Sequence, residues 1–164
     1  MSVLAARFGT QLRRGRERAL VAEARVGDRL VALAFPQTFM NLSGESVARL
    51  VRRYGVAGQP ERLVVVHDEL DLPTGRVKVK EGGGTAGHNG LESVKAHLRS
   101  GDFLRVRIGV GRPPGRQEGA DYVLRRPGKT ERAELDVAVA EAADAVEAIL
   151  DEGPAAAMNR FNRA

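Results

Sequence analysis

The sequence predicts an α/β fold: one three-layer α/β/α domain over residues 1–164, built on a mixed twisted sheet. Apolar spacing switches repeatedly between the strand period of two and the helix period of 3.6, so strands and helices interleave along the chain. The length of 164 residues suits a single hydrophobic core. No internal repeat and no low-complexity linker divides it.

Each element has a local cause. "ALVAEARVGDRLVALAFP" (19–36) reads as a hairpin, two β-prone runs joined around Gly27-Asp28 and stopped by Pro36. "SGESVARLVRRYG" (43–55) reads as a helix, with Ser43 as N-cap, Val47, Leu50 and Val51 on one face, and Gly55 as the stop. "RLVVVHDELD" (62–71) is expected as a buried strand, because consecutive apolar residues suit a strand covered on both faces. "GRVKVK" (75–80) alternates like a half-exposed strand. "HNGLESVKAHLR" (88–99) is a helix with Leu91, Val94 and Leu98 on one side, and "FLRVRIGVG" (103–111) alternates again. "RPPGRQEGAD" (112–121) is a loop. Residues 129–153 form a long amphipathic helix with Leu135, Val139, Ala142, Val146 and Ile149 on its apolar stripe.

Composition narrows the function. No cysteine is present, which excludes disulfides, thiolate chemistry and the usual structural zinc sites. The longest apolar runs, "LVALAF" (30–35) and "LVVV" (63–66), fall far short of the roughly 20 residues that span a bilayer. No charged-then-apolar leader opens the chain, so a cytosolic enzyme or binding module is expected. Residues 129–164 hold four Lys/Arg against eight Asp/Glu, while residues 1–128 hold 22 against 13. A basic body with an acidic C-terminal segment points to an anionic partner such as nucleic acid, or to a solubilising Arg-rich surface. Two Tyr, five Phe and no Trp argue against a surface that stacks several bases.

Ligands of open α/β sheets collect beyond the C-terminal ends of strands. Three segments end strands there: "PQTFMNLSG" (36–44), "HDELDLP" (67–73) and "GGGTAGHNG" (82–90). Their convergence would assemble Asn41, His67, Asp68, Glu69, Asp71, His88 and Asn89, a carboxylate–imidazole–amide set suited to hydrolysis. His67-Asp68 also has the plainer reading of a turn. Asp68 and Glu69 should face opposite sides of a strand, which argues against a shared metal ion. The glycine run lacks the Lys-Ser/Thr that closes a P-loop, so a flexible segment leading into a fixed His88-Asn89 pair is the better reading. His97, between Lys95 and Arg99, reads as solvated.

"PQTFMNLSG", "VHDELDLPTG", "GGGTAGHNGLESV" and "FLRVRIGVGRPPG" together resemble the bacterial peptidyl-tRNA hydrolases, and the likeness runs from about residue 19 to "AAAMNRFN" (155–162). The resemblance implies an esterase that cleaves peptide from tRNA without metal or cofactor, in the cytoplasm and as a monomer. Asp68 would orient and support the catalytic histidine. Asn41 and Asn89 would hold the peptide backbone and the tRNA 3′ end, Phe39 and Met40 would line the cleft, and His88 would position the gating segment. Lys80 and Arg107 would contact the tRNA 5′ phosphate. The family opens with a strand and a segment of the form Asn-Pro-Gly…Tyr…Thr-Arg-His-Asn, which carries the histidine general base. This sequence has no Asn-Pro dipeptide and no histidine before His67, and Met1–Gly9 resembles the tail of the family's first helix. The expectation is therefore a fold without its first strand, with impaired turnover and a sheet edge open to self-association. Two other functions fit: an RNA-binding module without turnover, and a hydrolase of a small acidic substrate.

Overall fold

The computed structural model describes residues 1–111 and 128–162, so the expected loop at 112–121 lies outside the described residues. Backbone contacts gather the chain into two compact units, Met1–Leu63 with Gly83–Phe103, and Val64–Gly82 with Leu104–Ala164. The α/β class holds, but among the described residues the strands divide between two three-stranded sheets rather than joining one mixed sheet.

The first unit opens with α1 (Ser2–Arg7), followed by a short strand β1 (Arg13–Arg14), which periodicity gives no means of seeing. The expected hairpin is β2 (Ala19–Val26) and β3 (Arg29–Pro36), antiparallel from Ala19 opposite Pro36 to Val26 opposite Arg29. Gly27 makes the turn at φ +62°, a conformation costly to residues with a Cβ. A 3₁₀ turn (Met40–Leu42) runs directly into α2 (Ser43–Arg53). That continuity displaces the expected cap. Leu42 holds the N-cap position, Ser43 is already helical, and its hydroxyl donates to the Met40 carbonyl at 2.8 Å. At the other end Gly55 stops the helix as expected, at φ +68°.

α2 packs on α3 (Asn89–Leu98) through a close crossing at Gly44. A Cβ at Gly44 would lie 2.1 Å from the Ser93 carbonyl oxygen, and the Gly44 N–H donates to the Ser93 hydroxyl at 2.8 Å. Leu50 and Val51 are buried as their spacing predicts, and Leu50 joins Ala19 and Val21 in a small core between α2 and the hairpin sheet.

The second unit holds β4 (Val64–Glu69), β5 (Val77–Glu81) and β6 (Leu104–Gly109) in the order β4-β6-β5. β6 runs parallel to β4 and antiparallel to β5, so this sheet is the mixed one. The apolar run of β4 does not mark a strand covered on both faces: Val64–Val66 are only half-buried, because β4 stands at one end of the order. The alternating β6 takes the centre, with Leu104, Arg105 and Val106 all buried.

The long helix α4 (Lys129–Glu152) buries Ala138, Ala142, Ala143, Ala145, Val146, Ala148 and Ile149. Its apolar stripe is thus carried largely by alanines, with Leu135 and Val139 half-buried. Gly153 ends it at φ +90°, and Pro154, suited to the first helical position, starts α5 (Pro154–Phe161). Beyond α5, the Asn162 amide accepts from the Val79 N–H and donates to the Val79 carbonyl, both at 2.8 Å. It occupies the edge of β5 as a neighbouring strand would. Among the described residues no helix is long and apolar enough to cross a membrane.

Candidate functional site

The residues singled out by sequence fall into two constellations, one in each unit. In the first unit, the 3₁₀ turn packs against the start of α3 and brings Phe39, Met40, Asn41, His88 and Asn89 to one junction. Met40 lies so close to Gly90 that a Cβ there would come within 2.7 Å of its sulfur. The bare Gly90 leaves room for that sulfur, and the contact places the turn that carries Asn41 beside the helix start that carries Asn89. Phe39 and Met40 are 80% and 55% exposed.

The segment entering α3 is held by several bonds. His88 donates its N–H to the Thr85 carbonyl at 2.9 Å, and the Thr85 hydroxyl bonds the Glu92 carboxylate one turn into the helix. Ala86 and Gly87 both take positive φ, +50° and +78°. His88 is the N-cap: its Nδ1 accepts from the Leu91 N–H at 3.2 Å.

In the second unit, strand register sorts the polar residues by face. His67 pairs with Arg107, Lys78 with Arg107 and Lys80 with Arg105, so these side chains share one face of the sheet with Glu69. Asp68 pairs with Ile108 and takes the opposite face. The alternation expected of Asp68 and Glu69 is thus present, and among the described residues no His/Asp/Glu cluster is arranged to hold a metal.

Arg107 binds Glu69 through Nε and Nη2, at 3.1 and 2.9 Å to the same carboxylate oxygen. Burial alone would raise the Glu69 carboxyl, but the Arg107 hydrogen bond, the Asp71 N–H and the neighbouring positive charge outweigh it and hold it below the usual range. Arg107 therefore stands in this structure with its charge engaged, whereas Lys80 is exposed. Sequence reasoning missed the pair, since Glu69 and Arg107 are 38 residues apart and meet only through strand order. His67 is buried; its Nδ1 donates to the Asp68 carbonyl at 2.7 Å, and its Nε2 is enclosed. His97 is exposed, as expected, with Nδ1 donating to the Ser93 carbonyl at 2.9 Å.

The family model for peptidyl-tRNA hydrolase matches residues 1–164. The chain belongs to the peptidyl-tRNA hydrolase family. Peptidyl-tRNA hydrolase of Cutibacterium acnes is 56% identical over 132 residues, 80% of this chain and 65% of that protein's length. The Frankia casuarinae enzyme of the same name is 49% identical over 99% of this chain and 81% of its own. A crystal structure of peptidyl-tRNA hydrolase from Acinetobacter baumannii shares the fold, with a TM-score of 0.89 at 32% identity over 98% of this chain and 81% of that one.

Proposed function

We propose that the chain hydrolyses the ester between tRNA and the peptide of peptidyl-tRNA, acting on N-blocked aminoacyl ends. The observation that carries this reading is family membership at about half identity to named hydrolases, which also disfavours binding without turnover. The two constellations divide the work. Asn41 and Asn89, seated by the Met40–Gly90 contact, offer amides that hydrogen-bond the peptide backbone and the 3′ end of the tRNA. A site that reads an amide rejects a charged α-amine far more strongly than an apolar pocket could. Phe39 and Met40 cover the bound end, and the His88 cap fixes the helix start. On the second unit's cationic face, Lys80 and Arg107 contact the terminal phosphate, with Glu69 competing for Arg107.

Ester hydrolysis needs an activated water, a group that stabilises the base once protonated, and donors for the oxyanion. Asp68 supplies the second of these and the Asn41 or Asn89 amide contributes to the third. The base is neither His88, whose Nδ1 lone pair caps a helix, nor His67, whose Nε2 is enclosed. We assign it to the Thr-Arg-His-Asn segment that the resemblance implies and that residues 1–164 do not contain. The reading is completed by one domain in the cytoplasm, a monomer that uses no metal.

In a protein that also carries the histidine segment, Asp68→Asn should lower kcat on N-acetylaminoacyl-tRNA by about 10²-fold with KM nearly unchanged, and Asn41→Ala should chiefly raise KM. Wild-type kinetics from both variants would overturn these assignments.

A further inference from the structure

The sequence "RRGRER" (13–18) and the open groove beside it take no part in either constellation. The groove, about 710 Å³, lies in the first unit and is lined by Thr10, Gln11, Arg13, Arg14, Glu23 and Arg53 among others. Its charges are unequally engaged. Arg53 bonds Glu17 at 2.9 Å and Glu23 at 3.3 Å, and Arg18 bonds Glu45 at 3.2 Å. Arg13, Arg14 and Arg16 are exposed, and among the described residues none of them makes an ion pair.

The backbone that presents them is held in place. Gly15 donates its N–H to the Ala19 carbonyl at 2.8 Å, Gln37 donates to the Arg18 carbonyl at 2.7 Å, and Arg18 takes φ +56°. Glu17 turns inward, buried against Arg53, so its neighbour Arg16 points outward. Arg13 and Arg14 are consecutive on β1, at one end of the sheet order, and so diverge to opposite faces. They suit a row of separate phosphates, each met by one arginine.

We infer that β1 and its turn, through Arg13, Arg14 and Arg16, form a second RNA-contacting surface that engages the phosphate backbone of tRNA apart from its reacting end. The inference rests on the proposed substrate, but it is read out by binding. Because such contacts release counterions, each lost arginine should lower the slope of log affinity against log salt by about one and weaken binding alike across tRNA sequences.

The test is titration of the chain with uncharged tRNA from low to physiological salt. The measurement compares wild type, Arg13→Ala/Arg14→Ala/Arg16→Ala, the single Arg16→Ala, and the triple replacement by Lys. The triple alanine variant should lose a slope of about two to three, Arg16→Ala about one, and the lysine variant little. Circular dichroism checks folding, and the single exposed substitution provides a readout if the triple variant misfolds. Equal slopes in wild type and the alanine variants would overturn the inference, including the case where these arginines serve only to keep the edge strand from pairing with another copy. A chain that binds tRNA with the expected slopes but, in a separate assay, releases no N-acetylated amino acid from N-acetylaminoacyl-tRNA would overturn the proposed reaction alone. Absence of tRNA binding would overturn both.

Discussion

Glu69 and Arg107 hold each other through two hydrogen bonds on a half-covered sheet face, and this pair gives the molecule a pH dependence. The Glu69 carboxyl titrates below its usual range when folded, so its contribution to stability is complete above the unfolded value of about 4.3. It is lost as pH falls through the folded value. Glu69→Gln should therefore destabilise the protein at pH 7 by about 2 kcal/mol and flatten the decline in melting temperature below pH 4.5. An unchanged acid limb in the variant would contradict the assignment. His88 makes a second residue-scale case. As an N-cap, its replacement by Ala should cost about 1 kcal/mol, and Asn, a good cap, should restore most of it; denaturant titration of the two variants decides. The motif residues were legible because short segments carry them: His88 before a periodic helix reads as a helix start from sequence alone. The Glu69–Arg107 pair was not legible, since its partners lie on strands whose neighbour relation no local pattern encodes.

At the scale of elements, the crossing of α2 on α3 depends on the absence of a side chain at Gly44. Gly44→Ala places a Cβ against the Ser93 backbone, which cannot swing away as a flexible side chain could. The expected loss is about 3 kcal/mol or more, read as a lower denaturation midpoint with the same slope. A neutral result would mean that the helices do not cross this closely. A glycine inside a helical pattern was the available signal, since its cost of about 1 kcal/mol against alanine calls for a packing reason. Ser43 is not the cap of α2, and the helices at Ser2–Arg7 and Pro154–Phe161 were not foreseen from capping and turn residues. The limits of the three expected helices and the hairpin were nevertheless recovered to within about two residues. Sheet assignment was not, because consecutive valines in β4 look like a central strand while alternating β6 looks half-exposed. The centre belongs to β6, and burial of Arg105 within it breaks the rule that charges mark the surface.

For the whole molecule, charge and family agree. A basic body suits a polyanionic substrate, and the family's substrate is a tRNA ester. Composition alone could not separate this from a merely soluble surface; four motifs in order could, since together they match one family. Strand order was not written in them. The most direct measurement is release of an N-acetylated amino acid from tRNA by the folded chain, against tRNA carrying the same amino acid with a free α-amine. The account predicts release of the blocked amino acid clearly above release of the free one. Equal release of both, or none from a folded chain that binds tRNA, would contradict it.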